Sequence, residues 1–314
     1  MIKLFNQHNY TIDTSMFSHW LHDKTVTAFE ERFANYVGAR YAVSFNSATS
    51  ALFLICDKLI NKESAKPTLL IPSIIPQVVP NAIVNAGCDF TFTDDIKWVG
   101  NTYIMGKHAE GGYIVDAAQR VIPNIYSNSG LSGSDIMLFS FFPTKPVGSM
   151  DGGMVVIDDK ALADILRLFS MNGMTAGPNS WERKLVEPGH KMYMNSMQAY
   201  IASENLHRLD YKNERLAGIQ RVYNKAFGLN NTSLHLYRVN VIDRDYFIKK
   251  ATTAGITCGV HYAAAHLEEA YGKQDSHCPL SVMEAKTTVS IPFHEKLTVA
   301  QVKKVIEFVL ENRE

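Results

Sequence analysis

The chain has 314 residues, which is enough to bury the core of one large domain and a smaller second unit. Lysine and arginine together number 31, as do aspartate and glutamate, so the formal net charge is zero. This balance argues against a nucleic-acid groove or an anionic membrane surface as the main partner. The N-terminal segment MIKLFNQHNYTIDTS lacks the apolar core of a signal peptide, and no apolar run reaches the length of a membrane span. We therefore expect a cytoplasmic protein, and its four scattered cysteines show no metal-binding spacing.

The predicted elements begin with a helix. Thr27 and Glu30 have capping-box spacing, and apolar residues then recur with a helical period up to Gly38, a residue that suits a helix C-terminus. A short apolar strand follows at Tyr41–Phe45, and the segment NSATSAL (46–52) leads into a second helix. Further short runs are almost continuously apolar, as expected for strands buried on both faces of a sheet. These runs are Thr68–Ile71, Phe90–Thr93, Tyr113–Asp116, Ile136–Ser140 and Met154–Ile157.

Helical patterns separate several of these strands, for example at Asn81–Ala86 and Ala161–Leu168. Alternating strands and helices predict a three-layer α/β/α sandwich with a mostly parallel central sheet over residues 1–195, which includes an N-terminal arm. From residue 196 onwards the pattern changes. Ser196–Phe227 predicts one long connecting helix, and the remainder of the 196–314 region predicts a smaller α+β domain.

Four polar side chains stand at the ends of predicted strands or shortly after them, where open α/β sheets bind their ligands. They are Ser47, Asp116, Ser140 and Lys145. The NSATSAL segment combines hydroxyl groups with the backbone N–H groups of a helix N-terminus, which suits a phosphate, although serine and threonine are also ordinary helix caps. Asp116 could hold a pyridinium nitrogen protonated, or it could simply cap the helix that follows.

Lys145 lies in the segment SFFPTKPVGSMDGG (140–153), directly after a core strand and between Pro143 and Pro146. A lysine that forms a Schiff base needs this placement, because it must be held in position and partly desolvated to remain nucleophilic. The alternative is a solvated surface lysine. The order along the chain, with a phosphate loop, then a ring-nitrogen aspartate and then a Schiff-base lysine, favours the functional interpretation.

Several longer segments resemble, in the same order, the sequence blocks of one enzyme family. These segments are FEERFANYVGARYAVSFNSATSAL (29–52), IVDAAQ (114–119), SFFPTK (140–145), EPGHKMYMNSMQAYIASENLHRLD (187–210), GITCGVHYAAAH (255–266) and VSIPFHEKLT (289–298). Together they resemble the DegT/DnrJ/StrS family of sugar aminotransferases, and the resemblance runs over nearly the whole chain.

The resemblance implies the aspartate aminotransferase fold (fold type I), a homodimer with shared active sites and the cofactor pyridoxal 5'-phosphate (PLP). It also implies transfer of an amino group, usually from glutamate, to a keto-sugar carried by a nucleoside diphosphate. Lys145 is expected to be the catalytic lysine that carries the cofactor. The implied cofactor contacts are Ser47, Ala48 (where the family usually has glycine), Thr49, Asp116, Gln119, Ser140, Lys145 and, reaching into the other subunit's site, Lys191. The implied substrate contacts are His190, His261 and Tyr262.

The sequence departs from the family pattern in three places. The segment between Asp94 and Tyr113 is much shorter than the family norm, so a helix and a strand that normally precede Asp116 are expected to be missing or reduced. Pro76 stands where an aromatic residue commonly stacks on the pyridine ring. The run HKMYM (190–194) differs from the usual loop that reaches the partner subunit.

These departures leave alternatives to an aminotransferase. One is a shortened, non-catalytic relative that acts as a sugar-nucleotide-binding or regulatory protein, but it leaves the presence of Asp116, Gln119, Ser140 and Lys145 unexplained. Another is a PLP-dependent sugar dehydratase, which is disfavoured because such relatives carry histidine in place of the lysine. His261 has an alternative of its own, as a structural histidine at the end of a strand.

Overall fold

The computed structural model describes residues 1–6, 9–60, 67–175, 179–272 and 278–314. Its helices are α1 (Lys24–Val37), α2 (Ala48–Ile55), α3 (Val78–Asn85), α4 (Ile125–Asn128), α5 (Lys160–Ser170), α6 (Ser196–His207), α7 (Leu209–Phe227), α8 (Arg244–Thr253), α9 (Pro279–Thr287) and α10 (Val299–Asn312). Its strands are β1 (Tyr41–Phe45), β2 (Leu69–Pro72), β3 (Phe90–Thr93), β4 (Tyr103–Lys107), β5 (Tyr113–Asp116), β6 (Ile136–Ser140), β7 (Gly153–Ile157), β8 (Tyr237–Asn240) and β9 (Thr288–Ile291). Over these ranges, every helix is too short or too polar to span a bilayer.

The central sheet has five strands in the order β1-β7-β6-β5-β4. Strands β5 and β6 are parallel, whereas the pairs β1–β7, β6–β7 and β4–β5 are antiparallel. The sheet is therefore mixed, where the sequence pattern predicted a mostly parallel one; β2 and β3 form a separate parallel pair. The connections explain the difference, because the short segment between β4 and β5, residues 108–112, can join only strands that run in opposite directions.

Helices cover both faces of this sheet, which confirms the three-layer arrangement. Along β6, Ile136 and Leu138 belong to the core formed with α2, α3 and α5, whereas Met137 and Phe139 belong to the core formed with α1 and α6. Successive side chains thus enter opposite cores, as the two-residue period of a strand requires. This double burial accounts for the uninterrupted apolar runs in the sequence.

The C-terminal part of the chain has a core of its own, built by α7, α8, α10 and the β8–β9 pair. The predicted long helix over residues 196–227 is interrupted at Arg208 and forms α6 and α7 instead. The interruption lies between residues that pack in two different hydrophobic cores. Leu206 and Leu209 are buried with the helices of the sheet, whereas Leu216 is buried in the C-terminal core. The proposed division at residue 195 stays a prediction, and the packing indicates that α6 shares the core of the larger unit.

The start of α1 differs from the sequence prediction in a way that reveals a structural ion pair. The helix begins after Asp23, whose side chain accepts a hydrogen bond from Thr25 N (2.8 Å), and not at Thr27. Glu30 consequently does not serve a capping box. It is buried, with only 4% exposed, and binds Arg167 of α5 through two hydrogen bonds of 3.1 and 2.7 Å. Its Oε1 also accepts hydrogen bonds from N and Oγ of Ser44 in β1. One carboxylate thereby joins α1, β1 and α5.

We expect replacement of Arg167 by alanine to lower the free energy of unfolding by about 3 kcal/mol, because it leaves the charge of Glu30 buried without its cation. The measurement is denaturant unfolding at neutral pH. Lys160→Ala is the matched control on the same helix, since Lys160 forms an exposed pair with Asp164 and its removal should cost less than about 1 kcal/mol. Equal losses in the two variants would contradict the structural role of the Glu30–Arg167 pair.

Candidate active site

The strand ends that the sequence singled out meet around one cavity of about 420 Å³. Ser47 follows β1, Asp116 ends β5, Ser140 ends β6, and Lys145 lies in the loop after β6. Most of the predicted cofactor residues line this cavity, namely Ser47, Ala48, Thr49, Asp116, Gln119, Ser140 and Lys145. The predicted substrate residues His261 and Tyr262 line it as well. A cavity of this volume fits a small organic ligand.

One end of the cavity is formed by the N-terminus of α2. Ser47 caps this helix, and its Oγ accepts a hydrogen bond from Ser50 N at 3.1 Å. The N–H groups of the first helical residues, Ala48 and Thr49, have no acceptor within the helix, so this end favours an anion. Strand β7 passes very close to it: a Cβ at Gly153 would lie 2.5 Å from Ala48 N. Glycine is therefore required at position 153 for the strand and the helix N-terminus to approach each other.

Asp116 lies in the buried interior of the site and is only 4% exposed. Its Oδ1 accepts a hydrogen bond from Ala118 N at 2.7 Å, and its Oδ2 accepts one from the Tyr103 hydroxyl at 3.1 Å. Burial raises the pKa of the Asp116 carboxyl, while the Ala118 N–H, the positive charge of Lys145 and the Tyr103 hydroxyl act in the opposite direction. The hydrogen bond to Ala118 closes a turn, since the next helix, α4, begins only at Ile125 and has Asn124 as its N-cap; the helix-cap interpretation of Asp116 was therefore wrong, and its place is on the cavity wall.

Lys145 lies in the loop between β6 and β7 and reaches the same cavity. Burial lowers the pKa of its amine to about 8, although attraction to Asp116 acts in the opposite direction. The loop is tightly folded around the lysine, since Lys145 N donates to Phe142 O and Ser149 N donates to Phe141 O, both at 2.8 Å. A held amine with a lowered pKa is the form that a nucleophilic lysine requires.

The opposite wall comes from the C-terminal part of the chain. Gln119 connects the two sides, because its Oε1 accepts from Gly100 N (2.8 Å) and its Nε2 donates to the Tyr262 hydroxyl (3.0 Å). His261 Nδ1 lies 2.9 Å from Ser290 Oγ. Burial and the positive charges of Lys145 and Arg238 lower the pKa of His261 to about 4, so it is neutral at physiological pH. His261 is thus both anchored to a strand and exposed to the cavity.

Two predicted residues, His190 and Lys191, do not line this cavity. His190 packs edge-on against Phe53, and its Nε2 lies 3.5 Å from an Asp57 carboxylate oxygen. Lys191 is exposed, and its backbone forms a bridge with Met171. Since the resemblance assigns Lys191 to the other subunit's site, its role stays a prediction.

Several cavity residues were not identified from the sequence. They include Phe5, Trp98, Thr144, Asp151 and His235. Pro76 also lines the cavity; the sequence analysis had noted it only because it stands where the family commonly has an aromatic residue. Trp98 stacks on Tyr262 with 6.1 Å between ring centroids, and its Nε1 donates to Ile74 O at 3.0 Å. The available sequence signal was the unusual shortness of the segment before Asp116, in which Trp98 and Tyr103 both lie.

Comparison with known proteins identifies the family of the chain. The model of the DegT/DnrJ/EryC1/StrS aminotransferase family matches residues 6–97 and 113–310. This match covers most of the chain, so the chain belongs to this aminotransferase family, and the expectation from the sequence is confirmed. The unmatched interval, residues 98–112, coincides with the segment that the sequence marked as shortened. It contains β4, which pairs with β5, and has no helix, since all of it lies within the described residues.

Individual relatives agree with this assignment. The spore coat polysaccharide biosynthesis protein SpsC of Bacillus subtilis is 27% identical over an alignment that spans 90% of this chain and 88% of SpsC. A UDP-4-amino-4,6-dideoxy-N-acetyl-beta-L-altrosamine transaminase of Campylobacter jejuni is 26% identical, again over 90% of this chain and 88% of the relative. Among solved structures, PseC of Helicobacter pylori has a TM-score of 0.77 at 18% identity and covers 98% of this chain and 99% of its own. The fold is therefore that of the sugar aminotransferases, as the resemblance implied.

The lowered pKa of Lys145 leads to a prediction about the apoprotein. In the unfolded chain the lysine regains its usual pKa of 10.5, so below pH 8 folding has to bury a charge that would otherwise be solvated. We expect Lys145→Met to raise the free energy of unfolding at pH 7 by about 3 kcal/mol, because one pKa unit corresponds to about 1.4 kcal/mol. This advantage should shrink as the pH rises from 8 to 10.5, because the wild-type unfolded state then also loses its proton.

The measurement is denaturant unfolding of both apoproteins between pH 7 and pH 10.5. Lys303→Met serves as control, since the Lys303 side chain is 76% exposed, and it should change stability little at any of these pH values. A loss of stability in Lys145→Met that does not vary with pH would show that the amine is not held in a desolvated site.

Proposed function

We propose that this chain is a PLP-dependent aminotransferase that places an amino group, with glutamate as the expected donor, on a keto-sugar linked to a nucleoside diphosphate. The observation that carries the proposal is the convergence of a helix N-terminus, a buried aspartate and a desolvated lysine on one cavity of about 420 Å³. Membership of the aminotransferase family supports the reaction type. The transaminase of Campylobacter jejuni, whose name specifies a UDP-linked amino sugar, supports the substrate class.

The residues of the cavity fit the chemical groups of PLP. Its phosphate matches the N-terminus of α2, where Ser47, Thr49 and the free backbone N–H groups are available, with Ser140 beside them. Its cationic ring nitrogen matches the carboxylate of Asp116, and its aldehyde matches the amine of Lys145. When bound, PLP supplies an electron sink that stabilises negative charge on the α-carbon of the amino donor.

The roles of the protein groups follow from their positions. Asp116 keeps the ring nitrogen protonated, which makes the ring a stronger electron sink. Lys145 Nζ would hold the cofactor through its aldehyde, and as base and acid it would move a proton to and from the α-carbon of the amino donor. Its pKa of about 8 suits both directions of transfer near neutral pH. Gln119 positions Tyr262 on the cavity wall through the hydrogen bond to its hydroxyl, and the neutral His261 forms part of the wall on the substrate side.

A second cavity of about 680 Å³ supports a large anionic substrate. It shares Thr144 and Lys145 with the first cavity and extends from there towards α6 and α7. Its lining includes the basic residues His207, Arg208, Lys212 and Lys296, against one acidic residue, Glu295. We propose that the diphosphate of the substrate binds in this second cavity, because clusters of cationic side chains bind phosphate groups.

We also propose that the protein acts as a homodimer and that Lys191 and His190 serve the site of the partner subunit. The loop that carries them is preceded by exposed apolar side chains: Trp181 is 80% exposed, Leu185 63% and Val186 60%. Exposed apolar side chains next to each other are typical of a surface covered by another protein. Contact with a second copy would bury this segment and bring Lys191 close to the partner's cavity.

Absorption spectroscopy tests the proposed function directly. We expect wild-type protein with added PLP to develop a band near the visible edge, because Lys145 binds the aldehyde. The band should bleach when glutamate is added, because transfer of the amino group of glutamate converts the aldehyde of the cofactor to an amine and releases the keto acid. Lys145→Ala should show no such band. Lys160→Ala, which removes an exposed lysine of α5, is the control and should behave as the wild type does.

The possible outcomes separate the alternatives. A band that forms but does not respond to glutamate points to another amino donor, which a panel of amino acids would identify. Absence of a band in the wild type would contradict the proposal and favour a non-catalytic relative that binds sugar nucleotides.

A further inference from the structure

The segment over residues 98–112 is a feature of this chain that the family match leaves out. It nevertheless forms part of the site. Trp98 lies on the cavity wall, Gly100 N donates to Gln119 Oε1 at 2.8 Å, and the Tyr103 hydroxyl donates to Asp116 Oδ2 at 3.1 Å. A segment that served only as a short connection between strands would not need these contacts. Its side chains therefore have a role in the site.

The backbone of this segment brings Tyr103 to Asp116. Strands β4 and β5 are antiparallel neighbours, and Tyr103 is the residue directly opposite Asp116. Side chains of directly opposed residues project from the same face of a sheet and lie within contact distance. The turn that joins the strands is held by His108, whose N donates to Gly112 O at 3.0 Å and whose Nε2 lies 2.7 Å from Ser134 O. The register of this hairpin thus determines which residue faces the carboxyl group.

The position of Tyr103 is itself held by packing. Its ring contacts Trp98 edge-on, with centroids 5.1 Å apart, and Trp98 Nε1 donates to Ile74 O at 3.0 Å. Tyr103 is 8% exposed and Trp98 is 3% exposed. A buried hydroxyl in such a place requires a hydrogen-bond partner, and Asp116 provides it. A chain of contacts therefore connects Ile74, Trp98, Tyr103 and Asp116.

We propose that Tyr103 is a positioning residue: it orients the Asp116 carboxylate towards the ring nitrogen of PLP and stabilises its ionised form. This inference rests on the proposed function. With Oδ1 bound to Ala118 N and Oδ2 bound to the Tyr103 hydroxyl, both oxygens are fixed, and each retains a lone pair that can accept from a pyridinium N–H. The contact to the aspartate thus comes from a short antiparallel hairpin whose first strand, β4, lies in the segment that the family match leaves out.

The test is PLP binding to the apoprotein of Tyr103→Phe, followed by fluorescence quenching or absorbance between pH 5 and pH 9. Phenylalanine retains the packing against Trp98, so the melting temperature should change little. We expect the dissociation constant for PLP to rise about tenfold at neutral pH, since a hydrogen bond to a charged group is lost. A purely structural defect would weaken binding equally at every pH.

The pH dependence should change in a definite direction. Among the residues that the structure describes, three ionisable groups face Asp116: Tyr103 from β4, Lys145 from the β6–β7 loop and Tyr262 from the C-terminal part. Loss of the Tyr103 hydroxyl removes one influence that lowers the pKa of Asp116, so the carboxyl should accept a proton at a higher pH. The acid-side loss of PLP affinity should therefore begin at a higher pH in Tyr103→Phe than in the wild type.

A cofactor analogue isolates the contact with the ring nitrogen. In 1-deaza-PLP a C–H group replaces this nitrogen, so a correctly oriented Asp116 gives no advantage. We expect wild type and Tyr103→Phe to bind this analogue equally well. Tyr113→Phe is the control variant, because Tyr113 lies in the same hairpin but is 41% exposed and faces away from the carboxyl group; it should bind PLP as the wild type does.

The outcomes distinguish the positioning role from the proposed function. If the wild type binds PLP and Tyr103→Phe binds it with the same affinity and the same pH profile, the positioning role is overturned and the proposed function stands. If Tyr103→Phe loses affinity for PLP and for 1-deaza-PLP to the same extent, the hydroxyl acts on the fold of the site and not through the ring nitrogen, which also overturns the inference. If the wild type binds neither compound, the proposed function falls together with the inference.

Discussion

Two ionisable groups of opposite charge, the Asp116 carboxyl and the Lys145 amine, share one largely buried cavity, and the surrounding structure makes this arrangement possible. Burial opposes the charged form of each, whereas their mutual attraction and the hydrogen bonds to Asp116 favour the charged forms. As a result, the Lys145 amine loses its proton more easily than an ordinary lysine, and the Asp116 carboxylate accepts hydrogen bonds from Ala118 N and the Tyr103 hydroxyl. Such a pair meets the opposite demands of a PLP ring, which offers an electrophilic aldehyde at one position and a cationic nitrogen at another.

The sheet creates this cavity because it places the ends of β1, β5 and β6 at one edge. Close approach at that edge depends on Gly153, where a side chain would collide with the start of α2. The C-terminal part then closes the opposite side, and the hydrogen bond from Gln119 to Tyr262 connects the two. The antiparallel strand β4 has an equally specific effect, because its pairing with β5 places a tyrosine hydroxyl against the buried carboxylate.

Much of this site could be predicted from the sequence because strands buried on both faces leave uninterrupted apolar runs. Strands β1, β3, β5 and β6 agree with their predicted limits, and the polar residues that follow them meet as expected. Strand β4 could not be recognised in this way, since its run is broken by Gly106 at a bulge. The contact of Tyr103 with Asp116 depends on strand register, and the interruption at Arg208 depends on two separate cores; neither leaves a local pattern. Glu30 illustrates the same limit, because its spacing suits a cap while its real partner, Arg167, is distant in sequence.

The central claim is that Lys145 alone among the lysines of the chain binds the cofactor covalently. The most direct measurement is reduction of the PLP-loaded protein with borohydride, which makes the bond to the lysine permanent, followed by peptide mapping with mass spectrometry. The account predicts a single stoichiometric modification on the peptide that contains Lys145. Modification of a different lysine, or no modification at all under conditions that saturate binding, would contradict it.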